Sequence, residues 1–220
     1  MATIAHDPPQ IGIPANGHGG AAPPSLDEDL RAVTERSPEP ARTGIWVALA
    51  AIAMTFAALT SALIVRRGSG NDWSPIALPP ILYFNTVLLV FSSMTLALAR
   101  RKVAAFIRHQ GTTREQALAW LGATLVLGLA FVGGQCIAWL QLRSAGLYLA
   151  TNPNSSFFYV LTAVHALHVL GGLGGLTRVI RQLAPTVPIL RKSTLDATSY
   201  YWHFMGALWI YLLAIVGLRL

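Results

Sequence analysis

This chain has little charge and almost no cysteine. It contains one cysteine and nine carboxylates in 220 residues, and only 11% of its residues are charged, where a soluble domain carries about a quarter. Cys136 alone excludes an intrachain disulfide framework. With no CxxC or CxxCH pair there is neither a thiolate metal site nor a covalent haem attachment, and the residue reads as a small packing side chain. Five stretches, Thr43–Val65, Trp73–Ala99, Gln116–Leu142, Ser144–Thr177 and Ala197–Leu218, contain no Asp, Glu, Lys or Arg. The missing acids argue against an ion-coupled transporter or proton pump, which work through intramembrane carboxylates or paired charges. A small transporter would also show broken helices in two matched halves, and the sequence has none. No nucleophile with its base, catalytic dyad or phosphate-binding loop is present either.

What is present is apolar. Hydrophobic residues make up 54% of the chain. About 20 apolar helical residues cross the hydrocarbon core of a bilayer, so the five runs predict an all-α, polytopic membrane bundle of five transmembrane helices. The spans are expected at about 45–65, 79–99, 116–142, 156–177 and 199–218, together forming one membrane domain over residues 41–220. Residues 1–40 hold seven of the thirteen prolines and the acidic cluster Asp27-Glu28-Asp29. They read as a disordered cytoplasmic tail with one short helix around Leu26–Thr34, and not as a cleavable signal peptide. Local signals mark the span ends. Pro79-Pro80 suits a first helical turn, Thr113 with Gln116 fits an N-cap and its partner, Thr151–Asn154 is a turn cluster, and Pro185 and Pro188 break the last loop.

The net charge of +7 and the pI near 10.2 do not indicate nucleic acid, because the cations sit at span ends. With the N-terminus inside, the inner segments hold Arg31, Arg36, Arg42, Arg100, Arg101, Lys102, Arg108, Arg114, Arg178, Arg181, Arg191 and Lys192. The outer side holds Arg66, Arg67, Arg143 and Arg219. Positive charge favours the cytoplasmic side, so the expected topology is N-terminus in and C-terminus out. The inner loops also suit anionic lipid or partner subunits. Trp46, Trp73, Trp120, Trp139, Tyr148 and the run Tyr200-Tyr201-Trp202 read as interfacial belts, whereas Trp209 is deeper and reads as packing between helices. Gly171 and Gly175, a GxxxG pair, and Gly128, Gly133 and Gly134 read as close-packing positions.

Polar side chains at bilayer depth are few: Asn85, Ser92, Ser93, Gln135, His165, His168 and His203. Asn85 and Ser92 share a helix face and, with Ser93 and Gln135, suit interhelical hydrogen bonding. His165 and His168 are i and i+3 on one helix, with His165 roughly 13 Å from the span start. Three readings apply to the histidines. They are ligands of a b-type haem held between His168 and His203, a proton relay, or neutral imidazoles bonding between helices or to a lipid headgroup.

Four segments carry a family resemblance. Tyr200-Tyr201-Trp202-His203-Phe204 with Trp209 resembles the "YWHF…W" signature of subunit III of haem-copper terminal oxidases. Phe157-Phe158-Tyr159 with Thr162, His165, His168, Gly171 and Gly172 resembles its "FY..T..HxxH..GG" helix. Asn85-Thr86, Leu88-Leu89 and Ser92-Ser93-Met94-Thr95 resemble its "NT.LL.SS.T" helix. Leu121-Gly122, Phe131 and Gln135 resemble its "LG…F…Q" helix. In family order, these cover nearly all of Ile45–Leu220, and the length is similar to the short, five-helix bacterial form. The resemblance implies a non-catalytic partner of the haem-copper subunit I and of subunit II, in a bacterial inner membrane and in aerobic respiratory electron transport. It implies haem and copper in the partner subunits and none in this chain, and phospholipid bound in a cleft. His165, His168, Trp202 and His203 then become a lipid or subunit contact joining spans 4 and 5. The alternatives are an accessory subunit of a quinol oxidase or a nitric oxide reductase, or a free-standing membrane b-type cytochrome. Two positions depart from the family. Ile52, ahead of Met54 and Phe56, stands where many members have Glu, and Gly206 stands where many have an acid. A proton-antenna role resting on those carboxylates does not carry over, while packing and lipid binding do.

Overall fold

The computed structural model describes residues 39–69, 79–108, 111–148, 153–185, 190 and 192–219. The reading of the N-terminal tail and its short helix lies outside these residues, apart from positions 39 and 40, which open the first helix. The described chain is five helices: α1 (Glu39–Ser69), α2 (Ile81–Ile107), α3 (Arg114–Ser144), α4 (Pro153–Leu183) and α5 (Lys192–Arg219). Each contains a window long and apolar enough to cross a membrane. The bundle therefore has the five long apolar helices that the uncharged runs predict.

The helices are longer than those runs. At about 1.5 Å per residue, a 31-residue helix such as α3 or α4 spans about 46 Å, which exceeds the ~30 Å hydrocarbon core and reaches through the headgroup region. α5 begins at Lys192, seven residues before the expected Ser199, because its first turns are held from outside: Asp196 pairs with Arg100 of α2 at 2.6 Å. Pro153 opens α4 instead of lying in the preceding turn, where its missing N–H costs nothing. Thr113 caps α3, its hydroxyl accepting from the Gln116 N–H at 3.3 Å. Pro80 is the N-cap of α2, with Pro79 before it.

Helices α2, α3, α4 and α5 close into a ring in which each packs on its two neighbours, the α2–α3 seam being the most extensive. α1 lies outside this ring, against α5 and one edge of α4. Two apolar clusters follow. One fills the ring, with Leu96, Leu121, Phe131, Leu176, Trp202 and Trp209 among its members. The other joins α1 to the ring through Phe56, Leu63, Leu161, Met205, Leu208 and Leu212. Met54, Val65, Val126, Leu140 and Leu167 point outward, as lipid-facing side chains of a membrane bundle do.

Close approach is concentrated at four glycines, Gly128, Gly134, Gly172 and Gly206, the last facing Leu89. A methyl on Gly128 would fall 2.7 Å from the Trp202 ring and 2.8 Å from Leu173; one on Gly172 would fall 3.1 Å from Trp202; one on Gly134 would run into the Asn85 amide. The other glycines read as packing sites differ. Gly133 faces open space, and Gly171 and Gly175 meet Tyr201 and Thr198 only at ordinary contact distances of 3.5 and 3.6 Å. Rotation about the helix axis decides this, and sequence spacing alone does not report it. Cys136 likewise points outward instead of packing inside.

Gly128→Ala forces the Trp202 indole to shift and is expected to cost about 1–3 kcal/mol. Gly133→Ala, on an open face, gains the ordinary helix preference of alanine, up to about 1 kcal/mol. Thermal denaturation of the two purified variants in detergent separates them.

Candidate functional site

The polar residues of the bilayer interior converge on the ring, and their partners come from several helices. Trp202 of α5 is 3% exposed. Its Nε1–H donates to Ser92 Oγ of α2 at 3.1 Å, and Ser92 in turn donates to the Thr124 carbonyl of α3 at 3.3 Å. Thr95 and Thr124 hydroxyls meet at 3.0 Å beside them. Sequence position puts Trp202 in an interfacial belt. It is instead a core residue, because Gly128 and Gly172 leave a slot of indole width. Trp209, two turns on, donates to Thr86 Oγ1 at 3.0 Å and packs edge-on to Phe131.

His165 of α4 is buried among aromatic rings: Trp209 at 5.2 Å, Phe131 at 6.0 Å and Phe56 at 6.3 Å between centroids. Neither of its ring nitrogens has a hydrogen-bond partner among the described residues. The side-chain amides of Asn85 and Gln135, also buried, are unpartnered in the same way. These two residues lie close along the α2–α3 seam, since Asn85 abuts Gly134.

His168 sits one turn further along α4. Its Nδ1 lies 2.7 Å from the Val164 carbonyl, and its ring meets Phe56 of α1 at 5.8 Å. The Tyr201 hydroxyl donates to the His168 carbonyl at 2.9 Å, fastening α5 to α4. His203 is half-buried on another face of α5, lining a groove against α2 of about 420 Å³ with Ser93, Gly206 and Ile210. Thus His165 and His168 share the Phe56 ring, while His203 turns toward α2. The His168–His203 pair read as axial haem ligands does not face a common space.

Two further fastenings have little signal in the sequence. At the arginine-rich end, Arg100 holds Asp196 and lies over the Tyr200 ring at 5.6 Å; Tyr200 also stacks on Trp46 of α1 at 6.1 Å. The available signal was Asp196 directly before an uncharged run. At the other end, Trp139 of α3 donates to Thr162 Oγ1 of α4 at 3.0 Å, and Tyr159 of α4 donates to the carbonyl of Leu147, just past the end of α3, at 2.9 Å. The site as a whole is a set of interhelical bonds and aromatic contacts, with no group of three or more His, Cys, Asp or Glu able to hold a metal among the described residues.

Comparison with known proteins agrees with this arrangement. The family described as cytochrome c oxidase subunit III matches residues 45–218, which takes in all five expected spans. Cytochrome c oxidase subunit 3 of Synechocystis sp. is 30% identical over 80% of this chain and 74% of its own length. Cytochrome bo(3) ubiquinol oxidase subunit 3 of Pseudomonas aeruginosa is 30% identical over 80% of this chain and 83% of its own. Cytochrome c oxidase subunit 3 of Bacillus sp. PS3 is 27% identical over 80% and 84%.

Two measurements probe the geometry. In a double-mutant cycle, Trp202→Phe and Ser92→Ala are expected to show a coupling of about 0.6 kcal/mol, and at most about 1.7, the range of interhelical hydrogen bonds in lipid. His165→Phe keeps the aromatic contacts and removes two unpartnered nitrogens, so unfolding stability should be unchanged or raised, whereas His165→Ala opens a cavity and costs about 3 kcal/mol.

Proposed function

The chain belongs to the cytochrome c oxidase subunit III family, and from that premise we propose how it serves a haem-copper oxidase. As subunit III it is a non-catalytic, multi-pass component of a bacterial inner-membrane oxidase. It stabilises the haem-copper subunit I against inactivation during turnover, contacts subunit II in the same complex, and holds phospholipid against its helices. The observation that carries this reading is the family match over all five expected spans. The architecture supports it. Trp202, Ser92, Trp209 and Thr86 turn their polar groups inward into interhelical bonds, while broad apolar faces of α1, α2 and α3 remain outside for lipid and neighbouring subunits.

Orientation follows from charge. Arg100, Arg101, Arg108, Arg114, Arg178 and Arg181 lie at one end of the bundle, where Arg114 also donates to the Pro185 carbonyl at 2.8 Å. We assign that end to the cytoplasm by the positive-inside rule, which puts the start of α1 inside and the end of α5 outside. The main reading is a cytochrome c oxidase. Relatives named for cytochrome c and for ubiquinol are 30% identical alike, as expected if the electron donor binds another chain. Within the bundle, His168 and His203 are the histidines reachable by lipid or a partner, while His165 and Trp202 hold α4 and α5 to the ring.

The test is purification through a tag on this chain. A large haem-bearing chain should travel with it, and the isolated polypeptide should show no Soret band. In the purified complex, His168→Ala is expected to leave the initial rate unchanged but to lose activity several-fold faster over many turnovers. An unchanged inactivation rate removes His168 from the contact.

A further inference from the structure

Three buried side chains of the ring have polar groups that no neighbour takes up. Asn85 of α2, Gln135 of α3 and His165 of α4 are almost fully buried. Both amide atoms of Asn85, both of Gln135 and both ring nitrogens of His165 lack a hydrogen-bond partner among the described residues. Other polar side chains of the same ring are served. Trp202 and Trp209 donate to hydroxyls of α2, and Thr124 and Thr162 donate to carbonyls one turn back on their own helices.

Contacts between the helices put the three at one depth. Trp139 of α3 meets Thr162 of α4 at 3.0 Å, and further in Phe131 of α3 meets the His165 ring of α4 at 6.0 Å. Gln135 lies one turn from Trp139 and one turn from Phe131, so it stands level with α4 between Thr162 and His165. Asn85 joins from α2. Its amide abuts Gly134, the residue before Gln135. Thr86, the residue after Asn85, accepts from Trp209, whose ring lies 5.2 Å from that of His165. The unpartnered atoms of three helices therefore gather at one level, about 14 Å from the C-terminal end of α3.

The chemistry of these groups selects what they can hold. The uncharged runs around them contain no carboxylate to balance a cation and no Lys or Arg to balance an anion. A carboxamide offers N–H donors and a carbonyl acceptor, and an imidazole one of each. A ligand that satisfies such a set is small, neutral, and both donor and acceptor. In a bilayer an unpaired polar group has no solvent to fall back on. We infer that Asn85, Gln135 and His165 form a buried water site, in which at least one ordered water bridges α2, α3 and α4. A buried water makes about three hydrogen bonds to groups of this kind. The Trp202 and Ser92 bonds, two turns along α2 from Asn85, tie α5, α2 and α3; the water brings in α4. The site stands apart from the subunit reading and does not depend on it.

The test is radiolytic footprinting of the tagged protein as purified with whatever chains accompany it. A short X-ray pulse makes hydroxyl radicals from water in place, and oxidised residues are then counted by mass spectrometry. Phe131 and Trp209 flank the site and are themselves buried, so bulk water does not reach them. Trp209 should be oxidised several-fold faster than Trp202, a tryptophan as deeply buried but two turns away along α5. Asn85→Leu with Gln135→Met replaces both amides by apolar side chains of similar size. It should bring Trp209 down to the Trp202 rate and lower Phe131 with it. Should that variant not fold, Gln135→Met alone should lower both rates. Equal oxidation of Trp209 and Trp202 in the wild type overturns the proposal, and is the result expected if the two amides bond directly to each other. Rates that the variants leave unchanged overturn it as well.

Discussion

Four helices meet at the Trp202 indole. It lies against Gly128 of α3, where no methyl fits, and against Gly172 of α4, where one would be tight at 3.1 Å, and it donates to Ser92 of α2 from its own position on α5. In lipid, apolar surface supplies no drive for helices to associate, so dispersion contact and interhelical hydrogen bonds must do so. One side chain provides both here. The bond from Ser92 on to the Thr124 carbonyl carries the connection into the α2–α3 seam, and Trp209 repeats the pattern two turns further along α5 with Thr86 and Phe131. The ring of α2 to α5 follows from these seats.

Helix α1 is attached differently. It meets the ring through Phe56 and its apolar neighbours, through the Tyr211 hydroxyl donating to Thr60 at 3.1 Å, and through Trp46 stacked on Tyr200. Most of its remaining surface is apolar and exposed. The bundle thus has a packed interior that encloses its few polar groups, and open apolar flanks. A subunit that supports a neighbour needs this division, because its outer faces must suit lipid and protein alike while its own helices stay in register.

Much of this was legible in the chain itself. Apolar length is dictated by bilayer thickness, so all five spans could be placed from the uncharged runs. The Thr113 cap was equally plain, because capping is local. What was not legible depends on depth and rotation. Trp202 resembles an interfacial tryptophan, since it follows two tyrosines near a span end; only the glycines on two other helices make it a core residue. Gly133 and Gly134 are adjacent in sequence, yet one faces open space and the other receives Asn85. Cys136 faces outward for the same rotational reason. The Arg100–Asp196 pair joins residues 96 positions apart, and nothing local to either announces the other.

The two positions where the family pattern is broken can now be placed. Ile52 packs against the cluster of Phe56, Leu161 and Leu208 that binds α1 to the ring. An ionised carboxylate there would lose its hydration among apolar groups at a cost of several kcal/mol unless paired; isoleucine adds dispersion contact instead. Gly206 faces Leu89 and Ser93 across the α2–α5 seam, and any acidic side chain there would crowd Leu89 and place negative charge along the seam. Both changes therefore act in one direction. They leave the α1 seam dry and let α2 and α5 touch at Gly206, so what these positions supply is apolar packing and close approach, with no carboxylate at either.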